Sequence, residues 1–159
     1  IGRGEIMDAA QKTFISSTFW TERIGPTAAL KSLEVMKRIK SWKVITAKGE
    51  RVQNVWQEIA TENNLNIKIS GIPALSVFDF KSTNNLKYKT FIAQEMLKDG
   101  ILASNKIYLC TEHKDKILNT YFDKLNDIFY KISLCESERL NIQELLLGDT
   151  CHSGFKRLN

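Results

Sequence analysis

Prolines are scarce in this chain. Only Pro26 and Pro73 occur in 159 residues, so long helices can run without interruption. Cysteines are few, odd in number and widely spaced: Cys110, Cys135 and Cys151, with no C-x-x-C pair. That pattern argues against a disulfide framework. The two histidines, His113 and His152, complete no zinc spacing with them, so no metal site is expected. Reduced thiols of this kind fit a cytoplasmic protein. No stretch approaches the ~18 apolar residues of a membrane span, and the first residues lack the basic-then-apolar pattern of a secretory signal. Blocks of like charge are missing too. The 23 Lys and Arg and 18 Asp and Glu are interleaved, so the net charge of +5 reads as a solvated surface rather than a nucleic-acid patch. There is no internal repeat and no low-complexity segment.

What is present is a patterned chain, 43% hydrophobic, sufficient for the core of one ordinary domain. A helix is expected from Pro26, with Leu30, Leu33, Met36 or Val35, and Ile39 on one face. Ser41-Trp42 suggests a turn. A second helix follows from about Lys43 to Asn63, with Val52, Val55, Trp56 and Ile59 aligned. Gly49 interrupts it, at about 1 kcal/mol relative to alanine. Asn64 is suited to ending it in the left-handed conformation.

Ile67–Ile69 and Ala74–Phe80 read as strands. Alternation puts Ala74, Ser76, Phe78 and Phe80 on one face of the second. A helix from about Leu86 to Lys98 should bury Tyr88, Phe91, Ile92 and Met96, and Asp99-Gly100 should end it. Two short strands are expected at Ile101–Ser104 and Ile107–Cys110, with a turn at Ser104–Lys106. Thr111–Asp115 then caps a long helix to about Ser133, with a stripe of Ile117, Tyr121, Leu125, Ile128 and Ile132. A further short helix is expected within Glu136–Leu147. Interleaved helices and few strands give an α/β two-layer domain, a small sheet covered by helices.

Two places invite a chemical reading. Phe14-Ile-Ser-Ser-Thr-Phe-Trp-Thr-Glu-Arg-Ile-Gly-Pro26 is a hydroxyl-rich loop running into a helix, which offers donors to an anion such as a phosphate. The plain reading is a capped helix entry. Cys151-His-Ser-Gly154 looks nucleophilic, but triads are spatial and sequence neighbours seldom face one another, so a Cys–His hydrolase is disfavoured.

Ile1-Gly-Arg-Gly-Glu-Ile-Met-Asp8 precedes that loop. These segments, with the closing Cys151-His-Ser-Gly-Phe-Lys-Arg-Leu-Asn159, resemble the later part of the class-III aminotransferases. Those are pyridoxal-phosphate enzymes of fold type I, and glutamate-1-semialdehyde 2,1-aminomutase is among them. The resemblance covers essentially the whole chain. It implies an α+β fold with a small, mostly antiparallel sheet covered by helices, the C-terminal small domain of such an enzyme. Residues 1–25 would be a remnant of the large cofactor-binding domain and the inter-domain loop, and residues 26–159 the small domain. The implied activity is transfer of an amino group on a small carbonyl substrate, with pyridoxal 5'-phosphate as cofactor and a homodimer as the assembly. Thr18 matches the threonine that contacts the cofactor phosphate across the dimer interface, and Ser17 is a second candidate donor. The Schiff-base lysine would lie upstream of Ile1, so no catalytic residue is expected in this chain and the chain alone should be inactive. The alternative is a stand-alone interaction or dimerisation domain without catalysis. A membrane or nucleic-acid partner is not expected.

Overall fold

The computed structural model describes residues 2–10, 12–13 and 22–154. The chain divides into two compact units, Ile1–Lys40 and Ser41–Asn159. The first holds α1 (Gly4–Ala10) and α2 (Ile24–Ile39). Helix α2 starts two residues before Pro26, so the proline sits in the first turn, where its missing N–H forfeits no intrahelical bond. The first such bond runs from the Thr27 N–H to the Arg23 carbonyl at 2.9 Å. The stripe Leu30, Leu33, Met36, Ile39 forms as its spacing dictates, yet all four side chains are exposed and no residue of α2 is buried. The helix stops at Lys40, which turns left-handed (φ 50°, ψ 46°).

The second unit carries α3 (Ser41–Glu62), β1 (Ile67–Ile72), β2 (Leu75–Phe80), α4 (Asn85–Lys98), β3 (Lys106–Tyr108), α5 (Asp115–Glu136) and α6 (Ile142–Leu145). Its three strands form one antiparallel sheet in the order β1-β2-β3. Ile67 pairs with Phe80 and Ile72 with Leu75, while Leu75 also faces Tyr108. Period-two alternation along β2 buries Ser76, Phe78 and Phe80 and turns Leu75 and Asp79 outward. The expected alternation is therefore the observed one. The buried face meets α3, α4 and α5 through a cluster of rings. Phe78 packs edge-on against Trp56 (4.7 Å between centroids) and Phe129 (5.6 Å), and Phe80 packs against Tyr88 at 5.4 Å. The Trp56 indole N–H donates to the Tyr121 hydroxyl at 2.9 Å, so the one polar atom of that buried ring is paired.

Several boundaries differ from expectation for identifiable reasons. Gly49 does not interrupt α3. It is where the helix meets the β1–β2 turn, and a Cβ there would lie 1.9 Å from the Pro73 carbonyl oxygen. Ile101–Ser104 is not a strand. The Ile101 N–H bonds back to the Met96 carbonyl at 3.0 Å and the Ala103 N–H to Ile101 at 3.1 Å, so these two amides are turned into local bonds rather than a ladder. Helix α5 begins at Asp115, at the end of the expected cap segment, but it faces Leu118 into the core while Ile117 stays 54% exposed. The last helix is one turn long, because Glu138 takes a left-handed φ of 59° and breaks the chain direction first.

Candidate functional site

Thr18 and Ser17, the expected phosphate donors, lie outside the described residues, as do Phe14–Thr21 generally. What is described is the helix entry they lead into. Arg23 occupies the N-cap position with helical φ and ψ, and its side chain makes no capping bond. No acidic residue sits in the first turn of α2. Among the described residues, nothing accepts from the Ile24 and Gly25 N–H groups. The N-terminus of α2 thus follows Glu22-Arg23 and a stretch of sequence with four hydroxyl residues, Ser16, Ser17, Thr18 and Thr21.

The second site of interest is the turn between β3 and α5. His113 folds back over Cys110. Its Nδ1 accepts from the Cys110 backbone N–H at 3.0 Å and lies 3.3 Å from the Cys110 thiol. Since Nδ1 is an acceptor there, the neutral ring carries its proton on Nε2. A thiol proton moving to Nδ1 would face that same backbone N–H, so the contact closes a turn rather than activating a nucleophile. The C-x-x-H spacing was the signal available for this pairing, since residues three apart meet across a tight turn. Lys48 fastens the turn from α3, donating to the Thr111 carbonyl at 2.8 Å.

The Cys151-His-Ser triplet is not brought together as a catalytic group. The Cys151 backbone N–H donates to the Thr90 hydroxyl at 2.9 Å and its thiol points to the Leu86 carbonyl at 3.5 Å, while His152 is exposed. Groups with displaced proton affinities include several that brace the fold. Burial, with the Glu136 carboxylate beside it, pushes the Tyr88 hydroxyl up. Burial also pushes up the Cys135 thiol. Burial would raise Glu95 as well, but hydrogen bonds from Lys98, Gln94 and Lys131 outweigh it and carry that carboxyl down to about 2. Among the described residues no cluster of His, Cys, Asp and Glu is arranged to hold a metal, and no helix is long and apolar enough to cross a membrane.

Comparison with solved structures then bears on the fold. The FumI protein of Sphingopyxis sp. MTA144, in its PLP internal aldimine form, superimposes on 92% of this chain with a TM-score of 0.75 at 16% identity. The chain shares the fold of part of a PLP enzyme. It spans 36% of that neighbour's length. Among curated proteins, the chain is similar to the 3-aminobutyryl-CoA aminotransferase of Cloacimonas acidaminovorans (strain Evry), 26% identical over 124 residues. That alignment takes in 74% of this chain and 30% of the relative. No family model matches. The α+β class, a small antiparallel sheet with helices, is therefore both observed and shared with a known PLP enzyme.

Proposed function

We propose that this chain is the C-terminal domain of a pyridoxal-phosphate-dependent aminotransferase of the class-III type. The observation that carries the reading is the sequence similarity to an aminotransferase over three quarters of the chain, and the shared fold supports it. The substrate is a small amino or keto compound, and an aminomutase reaction on a single substrate belongs to the same reading. When bound, the cofactor supplies an electron sink for the carbon that carries the amino group. This chain's part is to bind and orient. The Thr18 hydroxyl and its backbone N–H, with Ser17, donate to the cofactor phosphate, and the N-terminus of α2 adds its dipole. In a homodimer that phosphate site is completed by the neighbouring subunit, and the assembly also covers the exposed stripe of α2. The Schiff-base lysine belongs to sequence upstream of Ile1.

The test has two arms. The chain alone, mixed with pyridoxal phosphate and reduced with borohydride, should give no stoichiometric adduct at a single lysine and should turn over no amino donor. Joined to the sequence encoded immediately upstream, it should take up the cofactor on one lysine and transaminate. Failure of the longer protein to bind the cofactor would overturn the proposal. In that longer protein Thr18→Ala should weaken cofactor binding by about 1–3 kcal/mol, the loss of a hydrogen bond to a charged group. An unchanged dissociation constant would mean that another residue holds the phosphate.

A further inference from the structure

Among the described residues, Glu95 of α4 is the one buried carboxylate, 5% exposed. A carboxylate withdrawn from water needs donors for its oxygens. Lys98, one turn further along α4, holds Oε1, and Lys131 of α5 reaches Oε2 at 3.2 Å. Both lysines are about half exposed, so the carboxylate lies beneath two cations that remain open to solvent. Oε1 also accepts from the side-chain amide of Gln94 at 3.0 Å. Together these bonds outweigh burial and keep the carboxyl charged down to about pH 2.

Gln94 works in two directions. Its Nε2 also donates to the Leu145 carbonyl at 2.9 Å, and its Oε1 accepts from the Leu147 N–H at 2.7 Å. Both amide hydrogens and the amide oxygen are therefore engaged. Leu145 and Leu147 begin the segment that leaves α6 and lies against α4 as far as Cys151, whose N–H goes to the Thr90 hydroxyl at 2.9 Å. Among the described residues, no backbone-to-backbone bond holds residues 147–151, so side chains of α4 fasten this strap. A continuous path thus runs from Lys131 of α5, through Glu95 and Gln94 of α4, to the backbone of the strap. We propose that this path is a latch: the ion-paired Glu95 carboxylate fixes the Gln94 amide, and closure of residues 145–151 over α4 depends on the cations that hold that carboxylate. A bond to a carboxylate is about twice as strong as one to a neutral acceptor, so neutralising residue 95 loosens Gln94. Removing Lys131 leaves Oε2 without its α5 partner, and the carboxylate then turns toward water and away from Gln94. The inference stands apart from the aminotransferase reading, since it needs neither the cofactor nor upstream sequence.

Residue-by-residue amide exchange of the 159-residue chain at neutral pH tests the link. Glu95→Gln should speed exchange at Leu147 about fivefold, as a charged acceptor becomes a neutral one. Lys131→Met should speed it about twofold, although the described bond of Lys131 is to Glu95 and not to the strap. This second variant changes a half-exposed side chain, so it carries the test even if Glu95→Gln folds poorly. Both changes are then repeated in a Gln94→Ala background. There neither should alter the Leu147 rate beyond that of Gln94→Ala itself, because the connection is already cut. Leu147 exchange at the parent rate in both single variants would overturn the proposal. So would the same acceleration with and without Gln94, which would mean that Glu95 acts on the stability of the whole chain. Acceleration by Glu95→Gln with Lys131→Met at the parent rate would refute the dependence on the cations.

Discussion

At the scale of single residues, Gly49 and Glu95 show how little tolerance the second unit has. The Pro73 carbonyl sits where a Cβ of residue 49 would be, and neither helix nor turn backbone can give way cheaply. Gly49→Ala gains helix propensity but should cost about 2–3 kcal/mol net through overpacking, read from urea melts. Stability equal to or above the parent's would show that the turn can move. Glu95 is nearly buried, with Lys98 and Lys131 on its two oxygens. Its folded pKa of about 2 lies below the ordinary 4.5, so its contribution is present above pH 4.5 and is lost as pH falls through about 2. Glu95→Gln should therefore be less stable than the parent at neutral pH, with the gap closing between pH 4.5 and about 2. A gap that holds constant across that range would place the stabilisation elsewhere.

At the scale of elements, the three long helices of the second unit end in the same way. Leu65 bonds back to Ala60, Ile101 to Met96 and Arg139 to Leu134, each across a left-handed residue: Asn64, Gly100 and Glu138. This is the Schellman arrangement. Two of the three ends were legible because Asn and Gly favour that conformation. The third was not, because glutamate gives no such signal, and the helix expected across it is cut to one turn. Glu138→Gly should raise stability by about 0.5–1 kcal/mol, since Glu138 is exposed and its φ of 59° is strained for a side chain. A loss of stability on that change would mean that Glu138 makes a contact worth more than the strain. The same logic explains why the α5 stripe was readable and Ile101–Ser104 was not. Helical spacing marks a buried face by itself, whereas an apolar tetrad is a strand only if its amides are free to pair, and here a helix end had already used one. The segment after α6 leans on α4. Gln94 accepts from the Leu147 N–H at 2.7 Å and donates to the Leu145 carbonyl at 2.9 Å, and Thr90 holds Cys151. Gln94→Ala should speed amide exchange across residues 145–151 and leave exchange in α3 unaltered; slow exchange retained at Leu147 would show that side-chain packing alone fixes the segment.

At the scale of the molecule, among the described residues the buried hydrophobic core runs from Val52 to Ile142. Residues 41–159 alone should fold with a melting temperature within a few degrees of the whole chain, and a truncated protein that stays unfolded would show the core to be incomplete. The hydroxyl-rich stretch 14–21, read from the sequence as a set of donors, lies outside the described residues, and a loop's path depends on what it packs against rather than on any periodicity of its own. The β1–β2 turn carries one further consequence, for the order of events in folding. Pro73 holds φ near −65°, so the two-residue connection Pro73-Ala74 cannot be either of the turns whose twist suits a hairpin, both of which need a positive φ at that place. The hairpin is instead held from outside. Gln53 of α3 donates to the Ser76 hydroxyl at 2.9 Å, that hydroxyl reaches the Pro73 carbonyl at 3.1 Å, and Gly49 lets the helix backbone close over the turn. A hairpin with an unfavourable turn does not nucleate on its own. The rate-limiting ensemble should already contain α3 lying across residues 72–76, so Gln53→Ala should act chiefly by slowing refolding, with little change in the unfolding limb of the chevron.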